Sequence, residues 1–188
     1  IHHGNTPPTQ CPVCAAPAER FEPYVTDDRF PEVPGENENI VIIGAGIAGF
    51  SAAETIRQHS VATPITIVSS DPELPYYRLN LTRYLAGEIK REELAIKPAA
   101  WYSDNHIRLM TGEEVCAIDR QQHQVKLKSG TVLPYDKLIV ATGAHAFMPP
   151  FIGTENRDNI MTLRHKRDAD RILSAMGRIH RCVCVGGG

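Results

Sequence analysis

The chain has 188 residues, and its 20 basic and 22 acidic side chains give a formal net charge of −2 at neutral pH. A chain of this length holds one ordinary domain, or one domain with a small additional module. The near balance of charge gives no reason to expect nucleic acid or an anionic membrane as a partner. No apolar run approaches the roughly 20 residues that a membrane-spanning helix needs, so we expect a globular, cytoplasmic protein.

The two ends predict that the chain is a piece of a longer protein. Residues 1–8 lack an initiator Met and the basic and apolar regions of a secretory signal. Residues 181–185, R-C-V-C-V, predict a buried strand, and three glycines follow as the start of a phosphate-binding turn. Cys182 and Cys184 share one face of this strand, where we expect apolar packing, and we expect the same of Cys116.

Residues 1–24 contain Cys11 and Cys14 in the sequence C-P-V-C. Such a pair forms half of a tetrahedral thiolate site, but its spacing also fits a redox dithiol, half of a zinc site or an incidental pair. With its flanks, I-H-H-G-N-T-P-P-T-Q-C-P-V-C-A-A-P-A-E-R-F-E, the segment resembles the second half of a rubredoxin, including the rubredoxin-like module of rubrerythrins. The resemblance implies that Cys11 and Cys14 bind iron with two further cysteines, which precede this segment in the family; zinc remains the alternative. Residues 25–38 are acidic and interrupted by Pro and Gly, which predicts a linker.

The segment Asn39–Glu54, N-I-V-I-I-G-A-G-I-A-G-F-S-A-A-E, predicts a dinucleotide-binding turn between a buried strand and a helix. A second strand is predicted at 65–69, which completes a βαβ unit. Gly44 allows the sharp turn, Gly46 leaves room for a pyrophosphate, and Gly49 allows close packing of the helix on the strand. The helix start supplies amide donors to the phosphates. We therefore predict cofactor contacts from the whole turn: Gly44, Ala45, Gly46, Ile47, Ala48 and Gly49.

The segment after the second strand, D-P-E-L-P-Y-Y-R-L-N-L-T-R-Y-L-A-G-E, resembles the P-Y-x-R-x-x-L-(S/T) segment of one flavoprotein group. That group comprises glutathione-reductase-like pyridine nucleotide–disulfide oxidoreductases without a redox disulfide. It includes rubredoxin reductases, ferredoxin reductases of oxygenases, apoptosis-inducing factor and the flavin part of assimilatory nitrite reductase. The resemblance implies that Arg78 and Arg83 lie along the FAD pyrophosphate and near the isoalloxazine. The ribose-binding Glu of the group aligns best with Ser70, and either Ser70 or Asp71 takes its role here.

A second signature lies in K-L-I-V-A-T-G-A-H-A-F-M-P-P, where residues 138–141 predict a buried strand. It follows a hairpin predicted around Ser129-Gly130. The pattern resembles the A-T-G signature of FAD-binding reductases, which implies FAD rather than NAD in this first site. The further contacts that the resemblance implies come from Ala141, Thr142, Gly143 and the backbone of Val115.

The remaining sequence predicts helices at 79–85, 98–105 and 164–176 and strands at 107–110 and 114–118. Histidines such as His145 and His165 read as scattered loop or helix-face residues with no carboxylate partner. No Ser-His-Asp or paired-carboxylate arrangement stands out, so we predict no catalytic side chain. Hydride transfer to a flavin needs none from the protein.

Together these features predict an α/β protein with a glutathione-reductase-like, FAD-binding Rossmann-type fold. We expect a parallel sheet with a β-hairpin or meander insertion, preceded by a small rubredoxin-like metal knuckle. The predicted boundaries are a partial rubredoxin-like module at 1–24, a linker at 25–38, the first segment of the FAD-binding domain at 39–162, and the truncated start of an NAD(P)H-binding domain at 163–188.

The resemblance implies an FAD-dependent NAD(P)H oxidoreductase that passes electrons through flavin to a rubredoxin-type iron centre. Its partner would be a small electron-transfer protein or a fused redox domain. Two alternatives stay open: a flavin reductase component of a nitrite reductase or oxygenase system, and a non-catalytic fragment that binds FAD or metal.

Overall fold

The structure is a computed structural model that describes residues 9, 17–20, 38–150, 157 and 159–186. The chain divides into two units, Ile1–Glu32 and Val33–Gly188. The described part of the first unit includes a turn of 3-10 helix, Ala18–Arg20. Cys11 and Cys14 lie outside the described residues, so their role as metal ligands stays a prediction.

The second unit alternates strands and helices in its first half and continues with a run of strands. In chain order its elements are β1 (Ile40–Ile43), α1 (Ile47–His59), β2 (Ile65–Ser69), α2 (Leu81–Leu85), α3 (Ala99–Asp104), β3 (Ile107–Thr111), β4 (Val115–Asp119), β5 (Gln124–Leu127), β6 (Val132–Pro134), β7 (Lys137–Val140) and α4 (Lys166–Met176). Short 3-10 helices, Arg78–Asn80 and Arg91–Leu94, lie on either side of α2.

Four strands form a parallel sheet in the order β3-β2-β1-β7, and β4-β5-β6 form a separate antiparallel sheet. Successive side chains of a strand point to opposite faces. Ile40 and Ile42 of β1 therefore pack with residues of α1 and α3, whereas Val41 and Ile43 pack with residues of β5 and β6. Cover on both faces explains why β1 is apolar throughout. The predicted fold, a Rossmann-type parallel sheet with a meander insertion, is confirmed.

A buried arginine fixes the loop that leads from α1 into β2. The Arg57 guanidinium donates hydrogen bonds to the carbonyl oxygens of Ser60 and Thr63, both at 2.8 Å, and of His106 at 3.2 Å. Burial lowers the pKa of this guanidinium from its ordinary value. These bonds tie the end of α1 to the starts of β2 and β3, and so help to fix the position of the carboxyl end of β2.

Three predictions of burial are wrong. Among the described strands β7 pairs only with β1, so it forms a sheet edge and Val140 is 58% exposed. Residues 181–186 form no strand, because no described strand pairs with them, and the valine side chains there are exposed. The three cysteines for which we expected apolar packing are also exposed: Cys116, Cys182 and Cys184. No helix of the described residues is both long and apolar enough to cross a membrane.

Candidate functional site

A cleft of about 1000 Å³ lies where the carboxyl ends of β1, β2 and β7 meet. Open parallel sheets bind ligands in the crevice outside these strand ends. The turn after β1, the residues after β2, strand β4, the turn after β7 and the start of α4 all line it. The cleft brings together most of the predicted site residues: Gly44, Ala45, Gly46, Ile47, Ala48, Ser70, Asp71, Arg78, Val115, Ala141, Thr142 and Gly143.

The glycines of the first turn differ in what a side chain would meet. A Cβ on Gly49 would lie 1.9 Å from the carbonyl oxygen of Gly44, and one on Gly44 would lie 2.2 Å from that of Ala141. Both positions need glycine for packing within the protein. Gly46 has an ordinary extended backbone, and a Cβ there would have no protein atom within 4 Å. The protein gives no internal reason for glycine at position 46, whereas a cofactor lying against the helix start does.

The helix start also has donors to offer. The first hydrogen bond inside α1 runs from the Phe50 amide to the carbonyl of Gly46, at 2.9 Å. The amides of residues 47–49 therefore have no partner within the helix. Ile47 and Ala48 are exposed in the cleft. A pyrophosphate fits this turn, because the free amides and the helix dipole favour an anion where Gly46 leaves space.

The end of β2 distinguishes the two candidates for a ribose contact. Ser70 is exposed in the cleft, and its hydroxyl has no hydrogen-bond partner among the described residues. The Asp71 carboxylate is already engaged: Oδ1 accepts from the Glu73 amide at 3.2 Å, and Oδ2 accepts from the Tyr76 hydroxyl at 3.1 Å. In this arrangement Ser70 is the one with a side-chain oxygen to spare.

Arg78 joins the cleft to the start of α4. Its Nη1 donates to the carbonyl oxygen of Arg164 at 2.9 Å. The same Nη1 lies 2.9 Å from Nδ1 of His165. The same Nδ1 is 3.4 Å from Oδ2 of Asp71. The expectation that His165 has no carboxylate partner is therefore wrong, because the fold brings the end of β2 and the start of α4 together.

A buried lysine fastens the same junction. The Lys166 side chain is 3% exposed and its Nζ pairs with Glu73, while its amide donates to the Tyr76 hydroxyl at 3.0 Å. Burial is the main reason that the pKa of Tyr76 rises to about 12, and the neighbouring Asp71 carboxylate adds to the shift. The Tyr76 hydroxyl thus links the Asp71 carboxylate to the backbone of α4.

Two predicted residues do not line the cleft. Gly49 is buried beneath the turn, where it serves packing. Arg83 is on α2, and its Nε donates to Glu88 at 3.1 Å on the surface. The flavin contact predicted for Arg83 stays a prediction. Within the described ranges no group of three or more His, Cys, Asp or Glu side chains is arranged to hold a metal ion.

Residues at the start of α4 line the cleft although the sequence did not single them out: Arg164, His165 and Arg167. The sequence did contain one indication that these residues have a role beyond the helix. Basic residues are unfavourable at a helix N-terminus because of the helix dipole, so R-H-K-R at this place predicts other partners for their charge. Arg164 finds one in the carbonyl of Ala144, which accepts from its Nε at 2.8 Å.

Comparison with known proteins agrees with this geometry. Rhodocoxin reductase of Rhodococcus erythropolis is 39% identical over 151 residues, which are 80% of this chain and 35% of that protein. Nitrite reductase (NAD(P)H) of Bacillus subtilis is 32% identical over 154 residues, 80% of this chain and 19% of that protein. The crystal structure of NADH:rubredoxin oxidoreductase from Clostridium acetobutylicum superposes with a TM-score of 0.65 at 35% identity, over 76% of this chain and 36% of that one.

The chain thus spans about a third of the length of the reductases it matches, and less of the nitrite reductase. Residues 1–22 match the model of the rubredoxin-like domain of rubrerythrin. Residues 38–188, which include every residue of the cleft, match the model described as pyridine nucleotide-disulphide oxidoreductase. With that match covering most of its length, the chain belongs to the pyridine nucleotide-disulphide oxidoreductase family, as the two sequence signatures predicted.

Proposed function

We propose that the cleft binds FAD, and that the whole protein is an FAD-dependent oxidoreductase that takes electrons from NAD(P)H. The family uses FAD and NAD(P)H. FAD, when bound, supplies the redox chemistry, accepting hydride from NAD(P)H and passing electrons onward. The single observation that carries the proposal is Gly46, a glycine with open space on its Cβ side at the start of a helix whose first amides are free.

Each part of the cleft has a proposed task. The turn from Gly44 to Gly49 and the start of α1 hold the pyrophosphate, with Arg78 beside it, since a guanidinium fork matches phosphate oxygens. The Ser70 hydroxyl accepts a hydrogen bond from the adenosine ribose. The backbone of Val115 contacts the adenine, where β4 shows an irregular register next to the cleft. The turn Ala141–Thr142–Gly143 closes the other side.

We further propose a rubredoxin-type iron centre as the electron acceptor. The match of residues 1–22 to the rubredoxin-like domain supports this, as does the likeness to a protein named NADH:rubredoxin oxidoreductase. Cys11 and Cys14 would supply two of the four thiolates that such an iron needs. A tethered module raises the local concentration of acceptor, so transfer becomes effectively intramolecular. The partner would then be a small electron-transfer protein or the fused module itself, in the cytoplasm.

A second candidate function rests on the other two relatives. The likeness to rhodocoxin reductase and to nitrite reductase supports a flavin component that feeds an oxygenase or nitrite-reducing partner. In that case the rubredoxin-like module would act as a relay. A third candidate is a fragment that binds FAD or metal without turnover.

The first experiment is a titration of the purified chain with FAD, followed by flavin fluorescence, with riboflavin as the matched ligand that lacks the pyrophosphate. We expect FAD to bind and riboflavin to bind at least about tenfold more weakly, because the glycine turn recognises the phosphates. Equal binding of the two, or none of either, would contradict the proposal for the cleft.

A second measurement separates the candidate functions. Metal analysis and visible spectra of the whole protein report iron–thiolate bands beside the flavin bands. NADH is then added without oxygen, with a rubredoxin or a [2Fe–2S] ferredoxin as acceptor. Faster reduction of rubredoxin supports the iron-centre proposal, and faster reduction of ferredoxin supports the oxygenase-type reading. A bound flavin that NADH does not bleach supports the non-catalytic fragment.

A further inference from the structure

One ring nitrogen at the start of α4 has two competing neighbours. Nδ1 of His165 lies 2.9 Å from Nη1 of Arg78 and 3.4 Å from Oδ2 of Asp71. A single nitrogen either carries a proton and donates it, or carries a lone pair and accepts. It cannot satisfy a guanidinium donor and a carboxylate acceptor at the same time.

The neighbours decide which form the ring takes. A guanidinium stays protonated and only donates, so the short contact with Arg78 requires a lone pair on Nδ1. Asp71 has no need of the ring, because the Tyr76 hydroxyl and the Glu73 amide already donate to its two oxygens. Nδ1 is therefore an acceptor, and the ring proton of the neutral imidazole sits on Nε2.

This contact also fixes the orientation of the guanidinium. The Nη1 group of Arg78 has two hydrogens, and it uses them for the carbonyl oxygen of Arg164 and for the His165 ring. Its Nη2 is 4.0 Å from the Asp71 carboxylate, which is beyond hydrogen-bond distance. The hydrogens on Nη2 and Nε have no hydrogen-bond partner among the described residues and remain for an anion in the cleft, which Arg78 lines.

We propose that neutral His165 is a positioning residue for Arg78, which it holds by Nδ1 so that the remaining guanidinium donors serve the dinucleotide pyrophosphate. The proposal rests on the proposed binding of FAD in this cleft. It concerns a residue of the second half of the chain, 87 positions from the arginine it orients. The start of α4 is thereby part of the proposed cofactor site.

The surroundings of the ring predict how acid acts on the site. From the segment after β2 the ring faces Asp71 and Arg78, and on its own segment Asp168 accepts from the His165 amide at 2.8 Å. A protonated ring has no lone pair on Nδ1 and places a positive charge against Arg78. The contact then breaks, the ring turns its N–H to Asp71, and Arg78 loses its fixed orientation. Affinity for FAD should fall as the ring gains its proton.

The first test is independent of FAD. Two-bond ¹H–¹⁵N correlations of the histidine rings report which nitrogen carries the proton. We expect His165 to show the neutral form protonated at Nε2 near pH 7.5, with the assignment made by its loss in His165→Asn. A ring protonated at Nδ1 would overturn the proposal, since Nδ1 would then donate to Asp71 and not accept from Arg78.

The second test compares FAD affinity at about pH 7.5 and about pH 5.5, because protonation of an imidazole is the change that would break the contact. The wild-type chain should bind FAD several-fold more weakly at the lower pH. His165→Leu should bind about tenfold more weakly than wild type at the higher pH, since a hydrogen bond to a charged group is lost. His165→Asn keeps an acceptor oxygen near the place of Nδ1, so its affinity should stay within about twofold of wild type and lose the pH dependence.

His59→Asn is the matched control, because His59 is an exposed histidine at the end of α1, away from the cleft. It should keep both the affinity and the pH dependence of wild type. Thermal melts of all variants show whether Leu at position 165 unfolds the chain, and the Asn variant carries the test if it does. Failure of wild type to bind FAD refutes the proposed function. Binding that is equal in wild type and His165→Leu, with the same pH dependence, refutes the positioning role alone.

Discussion

Two glycines at the start of α1 lack a side chain for opposite reasons, and alanine at each separates cofactor binding from folding. A Cβ at position 49 would lie 1.9 Å from the carbonyl oxygen of Gly44 and 3.3 Å from a methyl group of Ile42. A Cβ at position 46 would have no protein atom within 4 Å. Gly46→Ala should therefore weaken FAD binding and leave the fold intact, whereas Gly49→Ala should destabilise the fold.

The magnitudes follow from these distances. At position 49 the obstacle is backbone, so relief needs a shift of the helix on the sheet, and we expect overpacking near the upper end of its usual range, about 3 kcal/mol. Alanine regains about 1 kcal/mol of helix propensity, which leaves a net loss of about 2 kcal/mol and a fall in Tm of roughly 4–8 °C. At position 46 alanine is a poorer N-cap than glycine, which costs about 1 kcal/mol and leaves the chain folded. The methyl group occupies cofactor space there, for a loss of about ten- to a hundredfold in affinity.

The assay is a pair of measurements on wild type and both variants: thermal unfolding by circular dichroism without FAD, and FAD titration by fluorescence below the melting range. Gly46→Ala with wild-type affinity would refute the reasoning, because the open space above the turn would then have no ligand. Gly49→Ala with an unchanged Tm would refute the claim that close packing requires that glycine.

Three further predictions concern the side chains of Arg57, Tyr76 and Ser70. Arg57→Met should lower the free energy of unfolding by about 3 kcal/mol, because several buried carbonyls lose their donor. Arg57→Lys should not restore this stability, since an ammonium lacks the forked donors of a guanidinium. Urea unfolding measures both variants, and full stability in the lysine variant would contradict the prediction. The pKa of Tyr76, raised to about 12, means that the folded state holds this proton more tightly than the unfolded chain does. Stability should be intact below about pH 10 and fall by up to about 3 kcal/mol as the pH rises to about 12. Urea midpoints across this range should fall less steeply in Tyr76→Phe, and an equal slope would contradict the assignment. Ser70→Glu should tighten FAD binding by about tenfold, since a carboxylate accepts a stronger hydrogen bond from the ribose; fluorescence titration measures it, and an unchanged or weaker affinity would mean that the ribose lies elsewhere.

The parts of the fold that local sequence could predict are those with their own periodicity. β2 forms at its predicted bounds, 65–69, and β1 and α1 flank the glycine turn as predicted. The hairpin around Ser129-Gly130 also forms, with Gly130 at a φ of +92° that an L side chain rarely adopts. Apolar runs, glycine turns and helix patterns depend on residues that are close in sequence, so a single sequence is enough to predict them.

Whether the strands near the end of the chain are buried could not be predicted from local sequence. An apolar run such as 138–141 predicts a strand, but whether it is central or at an edge depends on which strands pair with it. Here β1 lies on one side of β7 and no described strand on the other, so Val140 faces the cleft instead of a core. The same argument covers residues 181–186, whose valines have the composition of a strand without a described partner to complete it.

The sequence does not decide whether Ser70 or Asp71 is the ribose-binding residue, and the structure favours one of them. The sequence offers two neighbouring oxygens at the end of β2, and the carboxylate is the stronger acceptor of the two. Both of its oxygens already accept a hydrogen bond, one from the Glu73 amide and one from the Tyr76 hydroxyl, and His165 of the α4 segment lies beside it. The contact with His165 spans 94 positions, and no local pattern encodes a meeting of that range. A ribose hydroxyl would have to share either Asp71 oxygen with a donor from the protein, whereas the Ser70 hydroxyl is unengaged, so the weaker acceptor becomes the better candidate for the ribose.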